Sequence, residues 1–181
     1  MAGHSTTNLL LRAVAVVVLV SCTMACLFEL FAGAGLRVNT SASMPVGLYV
    51  VSTGPDANLI EFCPTEPFAH MAIVRGWRSA GSCPDGAAPL VKPVVATAGD
   101  VVEMSARGIA VNGRMLPNTA PLSRDSQGRT LTSWLSGRWV VAGDAVWVAS
   151  SYNSHSFDSR YFGPVATSAI RDRVRPLLTT Q

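Results

Sequence analysis

Apolar residues are distributed unevenly along this chain, and their distribution divides it into two parts. Residues 13–28 read AVAVVVLVSCTMACLF, a run of 16 positions without a charge. Apolar residues continue upstream past Arg12 and downstream past Glu29, which gives about 22 residues, enough for a helix to cross a bilayer. The pattern therefore predicts an amino-terminal membrane or signal segment over residues 1–35 and an exported domain over residues 36–181.

Three fates of the amino-terminal segment fit its composition. It can remain as an uncleaved signal anchor, because about 20 apolar residues span the hydrocarbon core. It can be removed as a secretory signal at the small residues Ala-Gly-Ala of positions 32–34. It can also be lipidated at Cys22, which ends the lipobox-like stretch Leu-Val-Ser-Cys. All three fates send the remainder of the chain across a membrane.

Short β-rich runs between turn signals fill the rest of the chain and predict a mainly β domain. The predicted strands cover residues 47–53, 59–62, 90–96, 101–104, 108–111, 139–141 and 145–149. Asn112-Gly113 is a strong hairpin signal, and Gly-Asp pairs at 99–100 and 143–144 mark two further turns. Residues 65–82 and 114–137 predict loops, with one short helix near residues 70–77.

Charge and cysteine content narrow the class of protein. Only 14% of the residues are charged and the net charge is +3, without a basic run, so nucleic-acid binding is not favoured. Of the 14 basic residues, only Lys92 is a lysine. Cys63 and Cys83 lie 20 positions apart, and an oxidising compartment favours a disulfide between them, with two unpaired buried thiols as the alternative. Without a histidine cluster they make a poor zinc site, so no metal is predicted.

Three clusters contain residue types capable of catalysis. The stretch SASMP at 41–45 places two serines before a predicted strand, and a serine hydroxyl needs a base to become a nucleophile. A lysine can be that base when apolar surroundings lower its pKa. Lys92 lies in the apolar run PLVKPVV, although an edge-strand lysine that prevents aggregation is an alternative interpretation. Residues 154–164 are rich in hydroxyls and contain Asp158 and Arg160. Taken without the other two clusters, this segment would also fit a hydrogen-bonded loop with a local ion pair.

In this order, the three clusters resemble those of the type I signal peptidase family. The matching motifs are Ser-x-Ser-Met-Pro, a lysine in an apolar strand before Gly-Asp, and Ser-x-Asp-Ser-Arg-Tyr-x-Gly-Pro-Val. Within the family the chain is most similar to conjugative-transfer peptidases of the TraF type, through Phe-Cys-Pro at 62–64, Gly-Ser-Cys-Pro at 81–84 and residues 156–165. The resemblance spans about residues 36–175. It implies a small β-sandwich or barrel catalytic domain and a membrane-associated serine endopeptidase.

The resemblance implies a role for each matching residue. Ser43 would be the nucleophile and Lys92 the general base. Ser41 would stabilise the oxyanion together with the backbone N–H of Ser43, and Ser156 would orient the lysine. The loop beside the site would be supported by Asp158 and Arg160.

Two departures from the family pattern adjoin these residues. Signal peptidases usually open the third motif with Gly-Asp-Asn, where this chain has Ser-Ser-Tyr at 150–152. The lysine is followed by Pro93 instead of arginine. Because proline donates no ladder hydrogen bond, we expect the lysine strand to lie at a sheet edge there, where an extended substrate can pair with it.

The resemblance also implies a substrate and a cellular setting. The family cleaves exported precursors after small residues, often Ala-x-Ala, and this branch would act on a conjugative pilin precursor, which some members cyclise. The site would face the periplasm at the bacterial inner membrane, or lie in the periplasm if the segment is removed, with contacts to conjugative-transfer machinery. Ser43 follows position 34 by nine residues, a reach of at most about 30 Å. No cofactor is implied.

Other classes of protein remain as alternatives. The first is a secreted β-barrel binding module in which the serine-rich motifs are structural and nothing is catalysed. The second is a hydrolase that combines Ser43, His70 and Asp100, although no strand–turn–helix elbow surrounds Ser43. The third is a self-cleaving protease of the LexA type, which shares the Ser/Lys pair, but this chain shows neither a helix-turn-helix pattern nor a basic surface.

Overall fold

The computed structural model describes residues 3–180, and a division between Arg37 and Val38 separates two compact units. The first unit consists mainly of one helix, α1 (Gly3–Gly33). Its segment Leu10–Phe31 is long and apolar enough to cross a membrane by length and composition. The prediction of one amino-terminal apolar helix is therefore confirmed, and both a membrane anchor and a signal sequence are compatible with it.

Antiparallel strands make up most of the remaining described chain. They are β1 (Leu36–Asn39), β2 (Gly47–Val51), β3 (Leu59–Phe62), β4 (Leu90–Ala96), β5 (Val101–Ser105), β6 (Gly108–Val111), β7 (Arg114–Met115), β8 (Gly137–Val140), β9 (Ala145–Val148), β10 (Val165–Ala166) and β11 (Ile170–Thr179). The short helices are α2 (Phe68–Val74) and α3 (Ser159–Phe162), with a 3-10 turn at Thr167–Ala169. The mainly β class predicted from the sequence is confirmed, as is a short helix beginning near residue 70.

The strands form two sheets that share a core. The larger sheet has the order β1-β2-β11-β3-β4-β9-β10, and the smaller has the order β7-β6-β5-β8. Trp147 of β9 packs with Val102 of β5 and Ile109 of β6, so apolar residues of both sheets are buried together. The Gly-Asp turns predicted at 99–100 and 143–144 carry the chain from one sheet to the other. Residues 139–149 are therefore not a hairpin, because β8 pairs with β5 and β9 pairs with β4.

The predicted hairpin at Asn112-Gly113 is present. It joins β6 to β7, with Val111 opposite Arg114. Both turn residues have positive φ, 50° at Asn112 and 80° at Gly113, as a two-residue type I′ turn requires. The Asn112 side chain also accepts a hydrogen bond from the Val101 N–H at 2.8 Å, which ties the hairpin to the start of β5.

The place of β4 corrects, for its second half, the prediction that the lysine strand lies at a sheet edge. β4 pairs with β3 on one side and with β9 on the other. The Val94 N–H donates to the Asn58 carbonyl on the β3 side. Because successive residues of a strand bond to opposite sides, the backbone of Pro93 faces β9, and the Pro93 carbonyl accepts from the Ala149 N–H at 3.2 Å. The missing N–H of Pro93 thus removes one ladder bond at the end of the β9 pairing, and β9 still joins β4 from Val94 onward.

A second buried cluster fixes the segment between β9 and β10. Phe157, Tyr161 and Phe162 pack with Ile60 of β3 and Val148 of β9. Phe157 stacks on Tyr161 with ring centroids 5.6 Å apart, and it contacts Phe162 edge-on at 5.3 Å. Because these aromatic side chains are anchored in the core, the polar residues between them are held against the sheet.

The predicted disulfide between Cys63 and Cys83 is confirmed, with a Cα–Cα distance of 5.8 Å. It joins the end of β3 to the loop that leads into β4. Within that loop the buried Arg78 pairs with Asp85 and donates to the Ala88 carbonyl at 2.7 Å. The loop is therefore closed by one covalent bond and one partly buried ion pair before the chain enters β4.

Candidate active site

The two serines of the first motif lie in the turn between β1 and β2, and Asn39 holds that turn. The Asn39 amide donates to the carbonyls of Ser41 and Pro45, each at 3.0 Å, and its carbonyl oxygen accepts from the Ser41 N–H at 3.1 Å. The buried Tyr49 of β2 donates its hydroxyl to the same Pro45 carbonyl at 2.6 Å. A side chain that bonds its own backbone two residues on is a common device for setting a turn.

The structure brings together four of the residues that the sequence singled out. Lys92 Nζ lies 2.7 Å from Ser43 Oγ and 2.9 Å from Ser156 Oγ. Ser41 Oγ lies 2.9 Å from Ser43 Oγ, and the Ser43 N–H points at Ser41 Oγ at 3.3 Å. The lysine amine is thus within proton-transfer distance of the Ser43 hydroxyl. A hydroxyl and a backbone N–H that can both donate to an oxyanion lie next to it.

Lys92 is buried, and its surroundings favour the neutral amine. Only 3% of its surface is exposed, and Ser156 beside it is 1% exposed. Burial lowers the pKa of Lys92 to about 8; the carboxylate of Asp158 opposes this shift, and the guanidinium of Arg160 adds to it. Because the ammonium loses its hydration inside the protein, the neutral form is populated near neutral pH. A neutral amine with a lone pair facing a hydroxyl can act as a general base.

Asp158 and Arg160 form a fully buried ion pair beneath the site, with neither side chain exposed. The guanidinium makes two bonds to the carboxylate, both at 2.8 Å. Its other N–H groups reach the carbonyls of Asn118, Ser154 and Ser156 at 3.0, 2.8 and 2.9 Å. All five donors of Arg160 are therefore satisfied, as a buried guanidinium requires. The pair therefore fixes the backbone carbonyls of Ser154 and Ser156, on either side of His155.

The departure from the family pattern at 150–152 has its own contacts with the nucleophile turn. Ser150 is fully buried, its hydroxyl donates to the Ser43 carbonyl at 2.6 Å, and its N–H donates to Asp158 at 3.0 Å. Asn153 donates its side-chain amide to the Ala42 carbonyl at 3.0 Å. Neither residue was predicted as part of the site. No local motif distinguishes them, because their partners lie more than a hundred positions away in the chain.

In the alternative hydrolase, His70 and Asp100 would act with Ser43, but in the structure both have different hydrogen-bond partners. Asp100 accepts hydrogen bonds from the Thr97 N–H and the Asn112 side chain, both at 2.8 Å, in the turn after β4. His70 is exposed on α2, where its N–H faces Glu66. The structure thus places Lys92, and not His70, against the Ser43 hydroxyl.

One protein family and several individual proteins are similar to this chain in sequence. The family model described as signal peptidase, peptidase S26, matches residues 7–178. A plasmid transfer protein TraF from Escherichia coli is 38% identical over 149 residues, which cover 81% of this chain and 84% of that protein. A probable conjugal transfer protein TraF from Sinorhizobium fredii is 40% identical over 152 residues, with coverage of 80% and 78%. A crystal structure of a signal peptidase I from Enterococcus faecalis is 17% identical, with a TM-score of 0.35 and coverage of 68% of this chain and 97% of that one.

Proposed function

This chain belongs to the signal peptidase family S26 and is a serine peptidase of the signal-peptidase type; from that premise we propose that Ser43 and Lys92 form its catalytic dyad. The observation that carries the proposal is the 2.7 Å contact between Lys92 Nζ and Ser43 Oγ. The burial that lowers the pKa of Lys92 to about 8 supports it, because a general base works best when its pKa lies near the working pH.

The first step is acylation of Ser43. Its oxygen attacks the scissile carbonyl while the neutral Lys92 amine takes the hydroxyl proton. The carbonyl oxygen becomes an oxyanion, for which the Ser41 hydroxyl and the Ser43 N–H are the donors. Each donor of this kind contributes a factor of about 10² to 10³ in rate. The Lys92 ammonium then gives its proton to the leaving amine as the peptide bond breaks, which leaves an ester on Ser43.

The second step releases the acyl group. Water attacks the ester with Lys92 again as base, and the Lys92 ammonium returns that proton to the Ser43 oxygen as the ester bond breaks, which releases the product with a free carboxyl group. If an amine of the same substrate attacks instead, a new peptide bond closes a ring and no water is consumed. Ser156 supports both steps, because its hydroxyl, 2.9 Å from Lys92 Nζ, keeps the amine directed at Ser43.

The substrate we propose is an exported precursor with small residues before the scissile bond, and more narrowly a conjugative pilin precursor. The names of the relatives, plasmid transfer and conjugal transfer proteins, support that setting. The apolar helix α1 is compatible with a site held at the inner membrane on the periplasmic side. A precursor in the envelope and the transfer machinery that uses it would then be the partners of this protein.

An extended substrate can pair with the first half of β4. In the described chain, β9 pairs with β4 only from Val94 onward, whereas β3 accompanies the whole of Leu90–Pro93. Since Val94 bonds toward β3, the alternation of an antiparallel ladder directs the Val91 N–H and carbonyl away from β3. A peptide added there gains main-chain hydrogen bonds next to Lys92, as in other cases of β-strand addition.

The test is mass spectrometry of the purified protein incubated with candidate pilin precursors. We expect cleavage after a small residue, a ring product lighter than the linear product by one water if the amine attacks, and a transient ester on Ser43. Ser43→Ala and Lys92→Arg are expected to be inactive, the latter because a guanidinium stays protonated at any accessible pH. His70→Ala is the control and keeps full activity. Cleavage that persists in both Ser43→Ala and Lys92→Arg would refute the dyad, and no cleavage by the wild type would favour a binding module whose serine motifs are structural.

A further inference from the structure

The turn that follows β9 contacts the nucleophile turn through two side chains. Asn153 donates its side-chain amide to the Ala42 carbonyl at 3.0 Å, and Ser150 donates its hydroxyl to the Ser43 carbonyl at 2.6 Å. These are consecutive carbonyls of the backbone that carries the nucleophile. The two peptide groups around Ser43 are therefore held from outside their own turn, by residues 111 and 107 positions away in the chain.

The Asn153 contact has a consequence for the oxyanion donor. The Ala42 carbonyl and the Ser43 N–H belong to one peptide group, which is planar and trans, so its oxygen and hydrogen point in opposite directions. A bond that fixes the carbonyl direction thereby fixes the N–H direction. In the structure that N–H faces Ser41 Oγ at 3.3 Å, so the two proposed oxyanion donors are adjacent.

We propose that Asn153 is a positioning residue of the oxyanion hole, which holds the Ser43 N–H toward the oxyanion through the Ala42 carbonyl. This inference rests on the proposed role of Ser43 as the nucleophile. It adds a third contributor to a hole whose direct donors are Ser41 and the Ser43 backbone. Asn153 does not touch the reacting atoms, and its effect passes through the peptide group.

Asn153 is itself held in place. Its Oδ1 accepts the His155 N–H at 2.8 Å, and its backbone carbonyl accepts the Ser156 N–H at 3.0 Å. The carbonyl of Ser156 is bound in turn by Arg160. The residue that orients the oxyanion donor and the serine that orients Lys92 thus belong to one turn, so that a single rigid segment serves both halves of the proposed chemistry.

Two variants separate this role from the folding of the turn. Asn153→Asp has nearly the same shape and retains the acceptor for the His155 N–H, but it no longer donates to Ala42. Asn153→Ser is neutral and can still accept from His155, yet it is too short to reach Ala42. The matched control is Asn118, whose amide donates to the Ser151 carbonyl of the same turn at 2.9 Å without contacting the nucleophile turn. Asn118→Asp makes the same chemical change there, and aspartate, like asparagine, tolerates the positive φ of 55° at this position.

The assay follows cleavage of a fluorogenic peptide with Ala-x-Ala before the scissile bond. We expect both Asn153 variants to lower kcat by about 10-fold, less than the 10² to 10³ for complete loss of an oxyanion donor. KM should change by less than about twofold, and the pH midpoint of the reaction should stay at that of the wild type for Asn153→Ser. A peptide aldehyde, which forms a tetrahedral adduct, should bind about 10-fold more weakly, whereas the cleaved product peptide should bind as before. Asn118→Asp should keep wild-type kcat.

Four results would overturn the inference: wild-type kcat in both Asn153 variants, loss of activity in Asn153→Asp alone, a loss confined to KM, or an equal loss in Asn118→Asp. They are distinct from failure of the proposed function, in which Ser43→Ala cleaves the peptide as fast as the wild type or the wild type does not cleave it. Thermal unfolding of each variant checks that the fold is retained. If Asn153→Asp alone lost activity, the cause would be its charge, and positioning by Asn153 would be rejected.

Discussion

The pH dependence of Ser43 acylation follows directly from the burial of Lys92. Only the neutral amine can take the hydroxyl proton, so the rate is proportional to the deprotonated fraction of Lys92. Loss of hydration lowers the pKa of this lysine from 10.5 to about 8. Because deprotonation of Lys92 increases with pH, the rate should rise with pH. The lowered pKa sets the point at which the rate levels off, just above pH 8.

The size of the effect can be worked out from that value. With a pKa of about 8, the neutral fraction is about one tenth at pH 7, about one half at pH 8 and about nine tenths at pH 9. We therefore expect kcat/KM to increase about tenfold between pH 7 and pH 9, and to fall about tenfold for each unit below pH 7. A lysine at its ordinary pKa would still be gaining rate above pH 10.

The measurement is kcat/KM for a fluorogenic Ala-x-Ala peptide between pH 5 and pH 10 at constant ionic strength. The control is His70→Ala, because the imidazole that it removes is exposed on α2. Its pH curve should coincide with that of the wild type. A flat profile from pH 5 to pH 9 would refute Lys92 as the base. A midpoint above pH 10 would refute the link between its burial and its reactivity.

Three further predictions concern stability. Lys92→Met should stabilise the protein at pH 7 by about 1 to 3 kcal/mol in denaturant unfolding, because the lysine, with its pKa lowered to about 8, binds a proton more readily in the unfolded state. The protonated lysine destabilises the folded state fully below pH 8 and no longer does so near pH 10.5. The stabilisation by Lys92→Met should therefore disappear as the pH approaches 10.5. Asp158→Asn should destabilise by about 3 to 5 kcal/mol, because it leaves the guanidinium of Arg160 buried without its counter-charge; a change below 1 kcal/mol would contradict the pairing. Cys63→Ser with Cys83→Ser should cost about 3 kcal/mol, and equal melting temperatures of wild type and variant would exclude a structural contribution of the disulfide.

The strands that the sequence predicted are those with local apolar patterns. It missed β1, β7, β10 and β11, of which β11 is the longest and depends on its partners. β4 begins and ends where the run of apolar residues does, at Leu90 and Ala96. β11 contains Arg171, Arg173 and Arg175 at alternate positions and has no comparable apolar run. It forms because β2 and β3 pair with its two sides and bury Val174 between them. Such strand formation is decided by tertiary context, which local patterns do not contain.

The site divides in the same way. Ser43 could be predicted because it lies in a motif that resembles the signal peptidase family, and Lys92 because it is also the single lysine of the chain, in an apolar run. Ser150 and Asn153 could not, because serine and asparagine are ordinary turn residues and their partners are backbone carbonyls. A contact with a carbonyl places no demand on the partner's side chain, and it therefore leaves no trace in the sequence of the nucleophile turn.

The buried ion pair orders the loop beside Lys92 while placing little net charge next to that lysine. Lys92 must stay neutral to act as a base, yet the loop beside it needs strong hydrogen bonds to hold Ser156. A lone carboxylate at Asp158 would raise the pKa of Lys92 and keep it protonated, whereas the guanidinium of Arg160 acts in the opposite direction. Because the two charges lie together, their effects on Lys92 oppose each other, and loss of hydration remains the largest cause of its shift. The pair thus holds the Ser154 and Ser156 carbonyls of the loop through its guanidinium, while its two opposite charges limit its net effect on the pKa of Lys92.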